Sequence, residues 1–311
     1  MAAPSGPVPA LVEAVRRVVL GDPNAVRLTV AAFVAGGHVL FEDAPGTGKT
    51  VLCKALAAAL GGTFGRVQGT TDLLPSDVTG VSVFDMDAKT WDFRRGPIFN
   101  EIVLVDEINR ATPRTQSALL EAMAEQQVTV DGSTHPLPEP FLVVATQNPA
   151  GDLGTFPLVA GQRDRFMVSL SLGQPGRAAE HQLVRGHGGA ALLGDVRPVA
   201  SAQQWIEVRN RLDQVHLADA VLTYGLDVID AVRARLGDTS LISTRAVLAT
   251  MRLARAHAVV SGRGHVSPDD IQAIAAGALA HRLIDRTNGD LAAARHLVFE
   301  AGSRVPVPPP S

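Results

Sequence analysis

Over roughly its first 172 residues the chain alternates short, nearly continuous apolar runs with longer stretches in which apolar residues recur at helical spacing; after that only the helical rhythm continues. The runs at 38–42, 66–68, 102–106, 141–146 and 166–170 predict strands, and the stretches at 10–20, 24–35, 49–60 and 113–126 predict helices. Gly21-Asp22-Pro23-Asn24 separates the first two helices, and either Asp22 or Asn24 can cap the second. Leu73 to Asp77 reads as an irregular segment near a helix start. Two alternating pairs, 81–84 with 90–93 and 128–130 with 133–135, carry polar turns between them and predict hairpins, the second with Asp131-Gly132 at its tip. Beyond Gly173-Gln174-Pro175-Gly176, helices are predicted at 177–186, 201–212, 218–221, 224–236, 244–260, 268–279 and 289–300, with a glycine-alanine loop at 186–194.

Strands that are apolar throughout and alternate with helices imply a parallel sheet covered on both faces. The reactive edge of such a sheet lies at the carboxyl ends of its strands. Three polar groups fall there. The first is Asp43-Ala44-Pro45-Gly46-Thr47-Gly48-Lys49-Thr50, a glycine-bearing turn between a strand and an alanine-rich helix. Backbone N–H groups of such a turn, with the positive end of the following helix, cradle the phosphates of a nucleoside triphosphate. Lys49 supplies a point charge to the outer phosphates and Thr50 a hydroxyl for Mg2+. The second group is Asp106-Glu107 at the end of the run 102–106, with Asp106 on the metal side; the third is Asn148. Asp43 stands where the strict phosphate-loop pattern has its first glycine, and a carboxylate there could weaken phosphate binding.

Composition narrows the picture. A chain of 311 residues, 46% hydrophobic and 19% charged, is long enough for a buried core and is not a disordered polyelectrolyte. No apolar stretch reaches the roughly 18 residues of a membrane span, and the start Met-Ala-Ala-Pro-Ser-Gly lacks a signal peptide's basic and apolar regions. A net charge of −3 and few aromatics give no general pull toward nucleic acid. The single cysteine, Cys53, permits no internal disulfide and fits a reducing cytoplasm; it is read as packing in the helix after the phosphate loop. The nine histidines show no metal-ligand spacing. Trp91, in the first hairpin, is read as core packing rather than a substrate contact. The tail from Arg304 to Ser311, rich in proline, is expected to be disordered.

These motifs resemble the MoxR branch of the AAA+ ATPases. The resemblance runs through Gly37 to Thr50, Thr71-Asp-Leu-Leu-Pro-Ser-Asp-Val-Thr-Gly80, Arg95-Gly-Pro-Ile-Phe99, Val105-Asp-Glu-Ile-Asn-Arg-Ala111, Gln116 to Met123 and Val144-Ala-Thr-Gln-Asn-Pro149. It continues through Gly154-Thr-Phe-Pro-Leu158, Asp164-Arg-Phe166 and, more loosely, Ala280-His-Arg-Leu283. It implies an αβα core over 1–172 with hairpin inserts near 80–95 and 127–137, a small all-α lid over 173–303, and a hexameric ring with ATP at each subunit interface. Lys49 and Thr50 then belong to Walker A, Asp106 and Glu107 to Walker B, and Asn148 to the sensor-1 position. Arg165 fits the arginine finger and Arg245 the sensor-2 arginine, while the hairpins would point toward the pore.

The finger segment departs from the family pattern: Ala160 replaces a usual glutamate, and Arg163 adds a charge that leaves Arg163 open as the finger instead. Ser243-Thr244-Arg245 likewise replaces Ser-Pro-Arg before the sensor-2 residue. In the reading these residues support, Glu107 orients and polarises the attacking water, Asn148 holds it, and the finger neutralises charge developing on the γ-phosphate of a neighbouring subunit. The family resemblance implies a chaperone-like machine that remodels or activates a client, in complex maturation or metal-cofactor insertion, beside a von Willebrand factor A-domain partner. Two alternatives stand against it, a nucleotide-dependent scaffold with little turnover and a nucleic-acid motor. The client is not legible.

Overall fold

The computed structural model describes residues 6–148, 154–237 and 242–309; Pro149 of the Thr-Gln-Asn-Pro motif and the last two residues of the tail lie outside that range. The chain opens with helices α1 (Pro7–Arg16) and α2 (Pro23–Ala35), strand β1 (Val39–Glu42), helix α3 (Lys49–Leu60) and strand β2 (Phe64–Gln68). A short helix α4 (Pro75–Thr79) leads into the hairpin β3 (Gly80–Asp85) and β4 (Thr90–Arg95). Strand β5 (Ile102–Asp106), helix α5 (Pro113–Glu125), a second hairpin β6 (Gln127–Val130) and β7 (Ser133–Pro136), strand β8 (Leu142–Gln147), helix α6 (Ala160–Arg163) and strand β9 (Val168–Leu170) complete the first part. Helices α7 (Arg177–Val184), α8 (Ala202–Arg211), α9 (Asp219–Leu236), α10 (Thr244–Val260), α11 (Pro268–Leu279) and α12 (Leu291–Gly302) follow.

Five strands form one parallel sheet in the order β2-β5-β8-β1-β9. Successive residues of a strand face opposite ways. Val39 and Phe41 therefore enter one core with α1–α3 and the late helices, and Leu40 enters the other with α5. Both faces are covered, which is why these strands read as unbroken apolar runs. The pairings Glu42 with Gln147, Gln68 with Asp106 and Val105 with Ala145 bring the carboxyl ends of four strands close to one level. The α/β sandwich with a helical lid is as expected, and both hairpins stand outside the main sheet.

Several expectations change. The first helix spans Pro7–Arg16 rather than 10–20: Val8, Leu11, Val12 and Val15 make its buried stripe, and Val18 and Val19 are buried from the following turn instead. Asp22, not Asn24, caps α2, accepting the Asn24 N–H at 3.0 Å. The helices expected at 218–221 and 224–236 are one, α9. Gly225 does not break it, because Val221, Tyr224 and Val228 keep one buried face and the missing Cβ leaves room for Met251. Residues 189–195, expected as loop, wind into 3-10 turns. Trp91 is 71% exposed, packed edge-on against Phe84 across the hairpin, so it is not core. Tail residues Val307–Pro309 line a shallow cavity with Ala218 and Pro268. Cys53 is fully buried, and burial pushes its thiol well up, which makes it an inert packing group. Among the described residues no helix is long and apolar enough to cross a membrane, and no group of His, Cys, Asp and Glu is placed to hold a metal ion by itself.

The start of β1 is fixed by a buried histidine. His38 Nδ1 accepts the Val143 N–H at 3.0 Å, so the proton of the neutral ring sits on Nε2, which donates to the Met123 carbonyl at 3.2 Å. Burial pushes His38 down to about 4, against a usual value of about 6.5. The unfolded chain thus binds a proton that the folded chain refuses. The stability this contributes is present above the unfolded value and is lost as pH falls toward the folded one. Between pH 7 and pH 5 the loss from this group should be about 2 kcal/mol. Urea unfolding of the wild type and His38→Gln at the two pH values checks this, with the variant expected to show the smaller drop.

Candidate active site

The turn between β1 and α3 closes over its own lysine. Gly46 and Gly48 adopt φ of 86° and 97°, a region that favours glycine and turns successive N–H groups toward one cavity. Lys49 is 8% exposed; its ammonium donates to the Ala44 carbonyl at 2.9 Å, the Thr47 hydroxyl at 3.0 Å and the Asp43 carbonyl at 3.4 Å. It makes no ion pair among the described residues. Burial lowers its pKa, and Asp43 and Asp106 oppose that. Ala44 and Pro45 form the outer limb of the turn, and Thr50 opens α3 beside Lys49.

Asp43 does not face the phosphate cavity. Its carboxylate is 7% exposed and accepts the Ser171 hydroxyl, the Leu172 N–H at 2.8 Å and the Gly173 N–H at 3.3 Å. The departure from glycine is therefore a fastening between the end of β1 and the chain leaving β9.

Across the cavity, Asp106 ends β5 and Glu107 follows it. Glu107 has φ 54°, a conformation unusual for a side chain bearing Cβ, and its N–H donates to Thr146 Oγ1 at 2.9 Å. Its carboxylate is held from three sides, by Arg110 at 3.0 Å, Asn148 Nδ2 at 3.3 Å and Gln68 at 3.4 Å. Asp106 accepts from Arg66 Nε at 2.8 Å and lies 3.5 Å from the Thr146 hydroxyl. Gly69 makes this crowding possible: its N–H donates to the Asp106 carbonyl at 2.7 Å, and a Cβ there would lie 2.1 Å from the Glu107 carbonyl oxygen.

One cavity of about 330 Å³ is lined by Pro45, Gly46, Thr47, Gly48, Lys49 and Thr50 on one wall and by Asp106, Glu107 and Asn148 on the other. Arg66, Gln68 and Thr146 also line it, and sequence reading had not singled them out. The register Gln68 with Asp106 is the reason, since strand order is not written in the sequence. A second cavity of about 230 Å³ shares Gly46, Thr47 and Gly48 with the first and continues onto Val18, Leu20, Val51, Pro175 and Leu183. The Gly189 N–H donates to the Val18 carbonyl at 2.8 Å beside it. A polar cradle beside an apolar slot suits a ligand with a charged end and a flat apolar end.

The residues present fit a magnesium-bound triphosphate. A buried ammonium lacking a counter-ion suits the phosphates, and a carboxylate now neutralised by Arg66 suits a divalent cation. Thr50 and Asp106 are the residues that would hold that cation.

The remaining arginines lie elsewhere. Arg163 is 5% exposed, and its guanidinium is committed to Asp285 and the Leu158 carbonyl. Of the two arginines left open as the finger, it is the one already paired with an acid of its own chain. Arg165 is half-buried, with Nη1 donating to the Gly161 carbonyl at 2.9 Å. It does not pair with Asp164, which is bound to Arg282 at 2.7 Å. Arg245 is exposed in the first turn of α10 and does not line the cavity. Ala160 is exposed at the start of α6.

Residues 38–168 match the family described as "ATPase family associated with various cellular activities (AAA)", and residues 233–298 match "AAA lid domain". The chain is 42% identical over 273 residues to the uncharacterized protein YeaC of Bacillus subtilis, covering 88% of this chain and 85% of that one. It is 34% identical to the chaperone MoxR1 of Mycobacterium tuberculosis, covering 87% and 74%, and 31% identical to protein MoxR of Paracoccus denitrificans, covering 87% and 86%. A crystal structure of a candidate ATPase from Cytophaga hutchinsonii superposes with a TM-score of 0.85 at 32% identity, over 97% of this chain and 95% of that one.

Replacing Asp43 with the glycine of the strict pattern should cost stability rather than improve binding. Asp43→Gly leaves the buried Leu172 N–H without its acceptor, a loss of about 1–3 kcal/mol. Denaturant unfolding and titration with a fluorescent ATP analogue should show a lower midpoint and no gain in affinity.

Proposed function

The chain belongs to the MoxR family of AAA+ ATPases, and from that premise we propose that it binds ATP with Mg2+ and hydrolyses it in a homo-oligomeric ring to remodel or activate client proteins. The observation that carries this reading is the meeting of Lys49, Thr50, Asp106, Glu107 and Asn148 around one cavity. The phosphates lie along the 46–50 turn, where Lys49 turns from the Ala44 carbonyl to the outer phosphates. The base occupies the apolar slot by Val18 and Leu20. Bound magnesium would neutralise charge on the β- and γ-phosphates. Glu107 takes the hydrogen bond of the attacking water and Asn148 keeps the Glu107 carboxylate aimed at it.

Arg165 supplies positive charge to the γ-phosphate of a neighbouring copy, a contribution of about 10³–10⁵ in rate for such fingers. Two observations support an interface on its side of the molecule: among the described residues the guanidinium pairs with no carboxylate, and Phe156 and Val159, close by in the chain, are large apolar side chains left exposed. The number of subunits is taken as six. Arg245 serves the subunit's own nucleotide as the sensor-2 residue, and since it does not line the cavity in this structure, that role requires the lid to close. The exposed Trp91–Phe84 pair on the first hairpin and Met86 at its tip offer an apolar contact for a client. A von Willebrand factor A-domain protein is the proposed adaptor, and the cytoplasm the proposed compartment. MoxR1 carries the name chaperone, which supports the client-directed part of the reading.

Glu107→Gln should still bind ATP and lose turnover by about 10² or more, while Lys49→Ala should lose binding itself. Nucleotide titration and phosphate release, measured on both, check this pair. Full turnover in Glu107→Gln would leave a binding scaffold as the better description.

A further inference from the structure

Arg165 is suspended between two residues that the lid holds. Before it, the Asp164 carboxylate accepts Arg282 Nε at 2.7 Å on one oxygen and the Ser243 hydroxyl at 3.0 Å on the other. After it, the Phe166 carbonyl accepts Arg282 Nη2 and His281 Nε2, both at 3.1 Å. Arg282 is almost fully buried and also reaches the Ala278 carbonyl. Burial lowers its pKa, and the Asp164 carboxylate opposes that loss of charge. One residue earlier, Arg163 is paired with Asp285 of the same lid segment. Ser243 meanwhile caps α10, accepting the Ala246 N–H at 3.1 Å, two residues ahead of Arg245.

A buried guanidinium with this many partners is costly to open, so its partners move together. The cluster therefore joins the backbone on either side of Arg165 to the 281–285 turns and to the start of α10. None of these residues lines the nucleotide cavity.

We propose that Asp164 is a positioning residue which, with Arg282, joins Arg165 to the helical lid, so that the guanidinium offered to a second copy of the chain moves with the lid of its own subunit. Through Ser243 the same cluster fixes Arg165 relative to Arg245, linking the arginine meant for the neighbour's nucleotide to the one meant for the subunit's own. This inference rests on the reading that Arg165 completes a neighbour's site.

The test is a double-mutant cycle on the assembled full-length protein, reading kcat for ATP, the dissociation constant for a fluorescent ATP analogue, and thermal unfolding. Asp164→Asn should lower kcat by about tenfold and change nucleotide affinity by less than about twofold. Combined with Arg165→Ala, it should slow the residual turnover no further than Arg165→Ala alone. Multiplying losses in the double variant, or a normal kcat in a folded Asp164→Asn while Arg165→Ala is slow, would overturn the positioning role and leave the finger intact. A fully active Arg165→Ala removes the finger reading, and the positioning role with it. If Asp164→Asn does not fold, Ser243→Ala removes the hydrogen bond to Asp164 together with the α10 cap on the Ala246 N–H and keeps the ion pair, with thermal unfolding reading the loss of the cap. The same cycle then decides, with a smaller drop in kcat, about threefold, that Arg165→Ala abolishes.

Discussion

The Lys49 ammonium is folded onto the carbonyls of Asp43 and Ala44 and onto the Thr47 hydroxyl, in a cleft that strips most of its water away and in which no carboxylate of the described residues lies within ion-pair distance. A buried cation without an ion-pair partner is expensive; burial lowers its pKa, and Asp43 and Asp106 oppose that only from a longer range. The fold can hold it only because the surroundings are fixed. Gly46 and Gly48 set the turn, α3 follows without a break, and the neighbouring Asp43 carboxylate is tied down by three donors from residues 171–173. The opposite charges stay on another strand, β5, with β8 between it and β1. The cavity exists because the sheet keeps the lysine and the two acids near one level and apart.

The same logic accounts for the crowding around Asp106 and Glu107. Arg66 neutralises the first, while Gln68, Arg110 and Asn148 restrain the second. The acids are held in place by Arg66 and Gln68 of β2, Arg110 of the turn after β5 and Asn148 just past β8. Farther out, the arginines sort by burial. Arg163 and Arg282 are paired inside the molecule with Asp285 and Asp164, whereas Arg165 pairs with no acid among the described residues. Two buried arginines thus anchor the segment around a third, which in the proposed reading is presented to another copy.

Much of this was legible beforehand because it is local. The phosphate turn, the paired acids at the end of an apolar strand and both hairpins are patterns of consecutive residues, and their positions hold to within a few residues. What could not be read was whatever depends on strands meeting. Arg66 and Gln68 sit beside the acids only because β2 pairs with β5, and the apolar slot by Val18 exists only because the 183–190 segment folds back over the phosphate turn. Asp43 looked like a defect in a motif because its partners lie about 130 residues away. Trp91 looked like core because a tryptophan usually is, and nothing in the hairpin's own sequence says that its face is left uncovered. Even the pairing that sets Arg163 apart from Arg165 is made by a distant residue, Asp285.

The most direct test of the account is to mix two inactive variants, Glu107→Gln and Arg165→Ala. The first keeps an intact arginine and has a dead pocket; the second keeps an intact pocket and lacks the arginine. If the site is completed by a neighbour, equal mixing restores about a quarter of the interfaces to full composition, and ATP turnover should reappear in proportion. Turnover that stays at the level of the separate variants, in mixtures shown to exchange subunits, would contradict it.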